Sequence, residues 1–117
     1  MSIKLHLTAA ALLVLVGCAN DPAPTEQLRL TEQAVEQARA VGATDEQQPF
    51  KQANDKLQQV RASMADQAYK QARMQAEQAE LDARLAEAQV LTAKSQEQID
   101  LQNARIKRLR KQLEEVQ

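Results

Sequence analysis

The sequence predicts an all-α fold, in which a long C-terminal helix projects from a short, antiparallel, alanine-rich three-helix unit. Most residues are Ala, Gln, Glu, Lys, Arg or Leu, which all favour helices. Apolar residues recur three and four positions apart over long stretches, as they do on one face of a helix. Aromatic residues make up only 2% of the chain, which excludes a large globular core.

The first helix is predicted over about residues 26–41. Thr25 is a candidate N-cap, and Glu26 lies near the positive end of the helix. Gly42 follows the last periodic residue, where a glycine commonly ends a helix. The apolar stripe of this helix consists of Leu28, Thr31, Ala34, Val35, Ala38 and Val41.

The second helix is predicted over about residues 49–64, with Pro49 in the first turn, where its missing N–H costs nothing. An alternative start is Thr44, with Gln47 closing a capping box and Pro49 one turn inside. We prefer the start at Pro49, with residues 44–48 as a loop. The stripe of this helix consists of Phe50, Ala53, Leu57, Val60 and Met64.

The third helix is predicted over about residues 67–117, with Asp66 as its N-cap and Tyr69 in its first turn. An alternative is one continuous rod formed by helices two and three, because Ala65, Gln67 and Ala68 tolerate helix.

The first half of this helix carries an alanine seam, which allows neighbouring backbones to approach closely. We expect it to pack against the first two helices, so that residues 26–88 form one domain. The seam consists of two sets with a spacing of seven residues: Ala65, Ala72, Ala79, Ala86 and Ala93, and Tyr69, Ala76, Ala83 and Val90.

The C-terminal extension, residues 89–117, has larger apolar residues in an a/d heptad pattern with Gln102 at one d position. The step from Ala93 to Ile99 is six residues, which predicts a slip in register. The first two helices are too short to cover the third beyond about Ala88. We therefore predict a partner-binding seam for a second copy of the chain or for another protein's helix; the alternative is a solvated tail. The seam consists of Ile99, Ile106, Leu109, Leu113 and Val116.

A group of cations accompanies this seam and is followed by Glu114 and Glu115. It is either the solvated flank of a coiled coil or a patch for anionic lipid headgroups, lipopolysaccharide or peptidoglycan. The formal net charge of −1 argues against a nucleic-acid binder. The cations are Arg105, Lys107, Arg108, Arg110 and Lys111.

Several kinds of active site are excluded by composition. Cys18 and His6 are the only cysteine and the only histidine, and both lie in or beside a predicted leader segment. Their absence elsewhere excludes Ser-His-Asp and Cys-His catalytic sites and the usual zinc sites. Gly17 and Gly42 are the only glycines, so a glycine-rich phosphate loop is excluded as well. We expect a protein that is not an enzyme and that binds no metal, cofactor or small-molecule substrate.

Residues 1–17 are predicted to be a signal peptide. Lys4 supplies a positive start, and an apolar run from Leu7 to Val16 follows. This run is too short to span a bilayer, which needs roughly 20 apolar residues. An ordinary secretory signal with a chance cysteine is the alternative to the more specific interpretation that follows.

The stretch Leu15-Val16-Gly17-Cys18 resembles a bacterial lipobox. This resemblance implies cleavage between Gly17 and Cys18, a diacylglycerol thioether on Cys18, and acylation of the new amine. In lipoproteins of this kind an Asp directly after the cysteine favours the inner membrane; because Ala19 occupies that position here, the resemblance implies the outer membrane. Residues 18–25 would then be a lipidated, proline-containing tether.

After the helix that starts at Pro49, the chain carries a run of residues that consists of Tyr69, Ala72, Ala76, Ala79, Asp82, Ala83, Leu85, Ala86 and Ala88. With this run, the middle of the chain resembles the small bacterial lipoproteins classed as domain of unknown function 4398. The resemblance covers about residues 24–88 and implies a helical lipoprotein. We therefore expect an outer-membrane, periplasm-facing protein with a structural or adaptor role through coiled-coil association. A peptidoglycan- or envelope-surface-binding module that uses the basic segment is the alternative.

Overall fold

The computed structural model describes residues 21–116, and within them it contains three helices and no strand. The helices are α1 (Thr25–Ala40), α2 (Gln48–Ala65) and α3 (Tyr69–Glu115). The predicted all-α fold with a long third helix is confirmed. The predicted cleavage and lipidation site, Gly17 and Cys18, lies outside the described residues.

Both shorter helices pack against α3, and the chain runs up, down and up. Side-chain contacts from α1 advance along α3 in the same direction, from Gln27–Glu80 to Val41–Lys94. Contacts from α2 run in the opposite direction, from Lys56–Asp82 to Ser63–Gln75. The start of α1 and the start of α3 therefore lie at the same end of the unit, here called the base.

The turn after α1 closes with the two backbone hydrogen bonds of a Schellman motif. The N–H groups of Gly42 and Ala43 donate to the carbonyls of Arg39 and Ala38, each at 2.9 Å. Gly42 has a φ of 104°, which favours glycine because it has no Cβ. The helix end predicted at Gly42 is confirmed.

The turn after α2 has the same bonding pattern without a glycine. The N–H groups of Gln67 and Ala68 donate to the carbonyls of Met64 and Ser63, at 3.2 and 2.8 Å. Gln67 has a φ of 59°, in the left-handed region. Helices two and three are therefore separate. Asp66 is the C-cap of α2 and not, as predicted, the N-cap of α3. The N-cap of α3 is Ala68, because the Schellman hydrogen bonds extend the turn to that residue.

The starts of α1 and α2 differ in detail from the predicted caps. Thr25 is the first helical residue and not the N-cap, because the carbonyl of Pro24 already accepts the N–H of Leu28 at 2.9 Å. Pro49 lies in the first turn of α2, as predicted. The Thr44 N–H donates to Oε1 of Gln47 at 2.6 Å, and this hydrogen bond closes a turn that precedes the helix.

The core is built from alanines of α3 and larger side chains of α1 and α2. Val35, Phe50, Leu57 and Val60 are buried against α3. The predicted seam is confirmed over its central part. Of its outer members, Ala65 is exposed because it ends α2, and Ala93 is exposed because it lies beyond the cover of α1 and α2. The alanines of α3 with 0% exposure are Ala72, Ala76, Ala79, Ala83 and Ala86.

The alanine seam brings α1 into direct contact with the backbone of α3. The hydroxyl of Thr31 has 0% exposure and lies 2.9 Å from the carbonyl oxygen of Ala76. The same hydroxyl lies 2.8 Å from the carbonyl of Gln27 in its own helix. A side chain larger than alanine between these helices would prevent this approach, because interiors pack without spare volume.

Polar side chains line the edges of the seam. Lys56 of α2 forms an ion pair with Asp82 at 2.5 Å. The Gln27 amide of α1 donates to Glu80 at 2.7 Å. The guanidinium of Arg84, and secondly the Gln27 amide, hold the pKa of Glu80 below its usual range. Within the described residues, every buried side-chain nitrogen and oxygen has a hydrogen-bond partner.

The strained turn after α2 generates a test. Gln67→Gly should raise the free energy of unfolding by about 1 kcal/mol, because it removes the Cβ clash of the left-handed conformation. Gln52→Gly, at an exposed position inside α2, is the control and should lower it by about 1 kcal/mol. Urea denaturation followed by circular dichroism measures both. Destabilisation of equal size at the two positions would contradict the described turn.

Candidate partner-binding face of α3

The cover provided by α1 and α2 ends within one turn of the predicted limit at Ala88. Val90 is half-buried, and the ammonium group of Lys94 donates to the carbonyl of Val41 at 2.6 Å, at the end of α1. Every residue from Leu91 to Val116 is exposed. This segment, here called the tip, is about 39 Å long at 1.5 Å per residue.

The predicted seam residues all lie in the tip, and they are all exposed. Their exposed fractions range from 46% for Ile106 to 86% for Val116. The structure places them on a single helix without any covering element within residues 21–116. The complete set is Ile99, Ile106, Leu109, Leu113 and Val116.

Three further apolar residues that the sequence reasoning missed extend this seam onto the unit. Met74, Leu81 and Leu85 are between 49% and 67% exposed, although they belong to the part of α3 that packs against α1 and α2. They share the heptad register of the tip. The a positions are Gln78, Leu85, Thr92, Ile99, Ile106 and Leu113, and the d positions are Met74, Leu81, Ala88, Ser95, Gln102, Leu109 and Val116.

The predicted slip in register after Ala93 is therefore better described as two different faces of α3. The alanine seam forms one face, and the heptad from Met74 to Val116, here called the outer seam, forms another. Leu81 follows Ala79 by two residues, which places it about 200° around the helix. The outer seam is thus turned away from α1 and α2. Extending the heptad of the tip backward through Leu85 and Leu81 is the signal that would have revealed it.

The outer seam is continuous in register but uneven in character. It extends for about 63 Å from Met74 to Val116. Large apolar residues occupy its two ends, and its centre has the smaller or polar residues Ala88, Thr92 and Ser95. An exposed apolar surface of this length is typical of a helix that binds another helix.

The predicted cations flank the outer seam near the end of α3. Arg105 and Arg110 occupy the g and e positions beside it. Among the five cations of this segment, Lys111 alone has an ion-pair partner within residues 21–116, Glu115 at 3.8 Å. The described residues contain no group of three or more Asp, Glu, His or Cys side chains placed to hold a metal ion. No helix among them is long and apolar enough to cross a membrane.

Comparison with known proteins identifies relatives of this chain. The family model described as "Domain of unknown function (DUF4398)" matches residues 26–102. The crystal structure of a DUF4398 family protein from Pseudomonas aeruginosa PAO1 is 57% identical and superposes with a TM-score of 0.80. That match covers 82% of this chain and all of the other. No curated protein matches. The outer-seam residues beyond position 102 lie outside the match to the family model.

The two faces of α3 should respond differently to the same substitution. Ala79→Leu should lower the free energy of unfolding by about 1–3 kcal/mol, because the new side chain enters a filled core. Ala88→Leu, on the outer seam, should change it by less than about 0.5 kcal/mol. Urea denaturation at low protein concentration measures both values. A loss at Ala88 equal to that at Ala79 would contradict the separation of the faces.

Proposed function

Because the chain belongs to the DUF4398 family, whose function is unknown, we propose its role from its own residues. It is a lipid-anchored protein of the bacterial outer membrane that faces the periplasm. It acts as a structural or adaptor protein, not as an enzyme, through helix–helix association along α3. The proposed association site is the outer seam.

The exposed heptad is the observation that carries this proposal. Fully burying a Leu or Ile side chain contributes about 1.5–3 kcal/mol, so covering a half-exposed one contributes about 1 kcal/mol. Ile99, Ile106 and Leu109 are each close to half exposed. These side chains add little to the stability of an isolated helix. Packing against a partner helix would bury all of them at once.

The lipid anchor is supported by the resemblance of residues 15–18 to a lipobox. A diacylglycerol and an acyl chain on Cys18 together provide the two or more chains that stable anchoring requires. In the structure, Asp21, Pro22 and Ala23 are exposed and lead into α1 at the base of the unit. An anchor at residue 18 would therefore hold the base at the membrane and leave the tip accessible.

A second candidate role uses the basic segment. Arg105, Lys107, Arg108 and Arg110 are exposed and have no ion-pair partner within residues 21–116. A surface of this charge suits anionic groups of peptidoglycan or of lipid headgroups. In this case the charges, and not the apolar residues, would dominate binding.

The anchor is tested by metabolic labelling of the full-length chain in a Gram-negative host. Labelled palmitate should be incorporated into the wild-type protein and lost in Cys18→Ser, because the thioether needs the thiol. Ala19→Asp serves as the matched variant: it should keep the label and move the protein from the outer to the inner membrane fraction. An unlabelled wild-type protein would contradict lipidation.

The association site is tested by chemical crosslinking of the full-length protein in intact cells. Leu109→Ser with Leu113→Ser should reduce crosslinked species about tenfold or more. The two substitutions remove more than about 1.4 kcal/mol of the association free energy that burial of the leucine side chains provides. Lys107→Gln with Arg108→Gln, at b and c positions turned away from the seam, is the matched control and should retain them. The reverse pattern would favour binding through the basic segment. Unchanged crosslinking in the serine variant would contradict association through the outer seam.

A further inference from the structure

We infer that the outer seam is covered by a second copy of this chain, whose α3 runs antiparallel to it from Gln78 to Val116. This inference rests on the proposed function, because it identifies the partner for the same site. A partner that bound only the tip would leave Leu81 and Leu85 exposed on the unit. A second α3 has the length needed to cover both regions.

The heptad positions of two antiparallel copies complement each other. In a register that overlaps the two seams, Leu85 faces Leu109 of the second copy, and Leu81 faces Leu113. Larger residues of the tip face smaller ones near the centre: Ile106 faces Ala88, and Ile99 faces Ser95. The polar pair Thr92 and Gln102 also face each other. The large leucines thus meet at both ends of the overlap, where Gln78 faces Val116, and Met74 lies beyond the end of the second copy.

Charges beside the seam favour the antiparallel arrangement over a parallel one. In a parallel, in-register pair, Glu77 would face Asp82 of the second copy, and Arg105 would face Arg110. Both contacts join like charges, which opposes that orientation. The antiparallel register removes both contacts.

The antiparallel register also creates contacts that suit these side chains. Arg110 lies beside Asp82 of the second copy, and the aliphatic stem of Arg105 lies beside Leu91. Asp82 already pairs with Lys56 of its own chain at 2.5 Å, and its side chain is 19% exposed, so Arg110 would share this carboxylate with Lys56.

The fold leaves room for this pairing. Both α1 and α2 lie on the alanine face of α3, so a second helix reaches the outer seam without contacting them. The arrangement has two-fold symmetry and closes after two copies. Each tip covers the unit of the other copy, and the two bases lie at opposite ends of the pair. Lipids at both Cys18 residues would then anchor the pair at both ends.

Site-directed disulfides in the full-length protein test this arrangement. Leu85→Cys with Leu109→Cys, and separately Leu81→Cys with Leu113→Cys, should each form a covalent dimer when cells are treated with an oxidant. All four positions are exposed, so the substitutions spare the core. The two cysteines within one chain are more than 30 Å apart along α3, so the bonds form only between copies.

Three controls define the orientation. Leu109→Cys alone should not crosslink, because in the antiparallel pair position 109 faces Leu85 of the second copy and not position 109 of that copy. Leu81→Cys with Ile106→Cys should not crosslink either, because Ile106 faces Ala88, which lies about 10 Å from Leu81 along the helix. The wild-type chain controls for Cys18. We expect at least about tenfold more dimer from the two paired variants than from any control, by non-reducing electrophoresis.

Other outcomes overturn the inference in distinguishable ways. A dimer from Leu109→Cys alone would show a parallel pair. If neither paired variant crosslinks, while Leu109→Ser with Leu113→Ser still removes crosslinks to a different protein, self-pairing is wrong and the proposed association site stands. If the paired variants do not crosslink and the serine variant changes nothing, both the inference and the proposed function are wrong.

Discussion

The three-helix unit depends on the close approach of α1 and α2 to α3, whose covered face consists of alanines. The Thr31 hydroxyl reaches the backbone carbonyl of Ala76 at 2.9 Å, which requires that no larger side chain lie between the helices. Val35, Phe50 and Val60 then fill the remaining space from α1 and α2. A chain with so few aromatic residues thereby obtains a close-packed core, because the dispersion energy of many close atom pairs accumulates.

This constraint separates the folding surface of α3 from its proposed binding surface. Because the covered face is alanine, the larger apolar residues of α3 are left on other faces, and Leu81 and Leu85 are exposed even where the helix is covered. The tip continues the same register beyond the end of α1. The outer seam therefore extends along nearly all of α3, and none of its side chains is needed to fill the core. The proposed antiparallel pair uses this seam from Gln78 to Val116.

Much of this fold was predictable because it is encoded in local periodicity. Gly42 and Pro49 mark helix ends through their backbone chemistry, and the alanine spacing identified the covered face. The turn at Gln67 was harder to place, because its residues favour helix and its conformation is imposed by Schellman bonds to Ser63 and Met64. The sequence predicted only the part of the outer seam that lies in the tip, because apolar residues recur every seven positions on both faces of α3. Exposure of Met74 and Leu81 separates the two patterns, and this depends on tertiary packing.

The most direct test of the account is the mass of the protein in solution. Residues 19–117 contain every contact described above and can be studied by sedimentation equilibrium over a range of concentrations. The account predicts a monomer–dimer equilibrium, with no species larger than a dimer, because two antiparallel seams close on each other. A monomer at every concentration, or assembly that continues beyond the dimer, would contradict it.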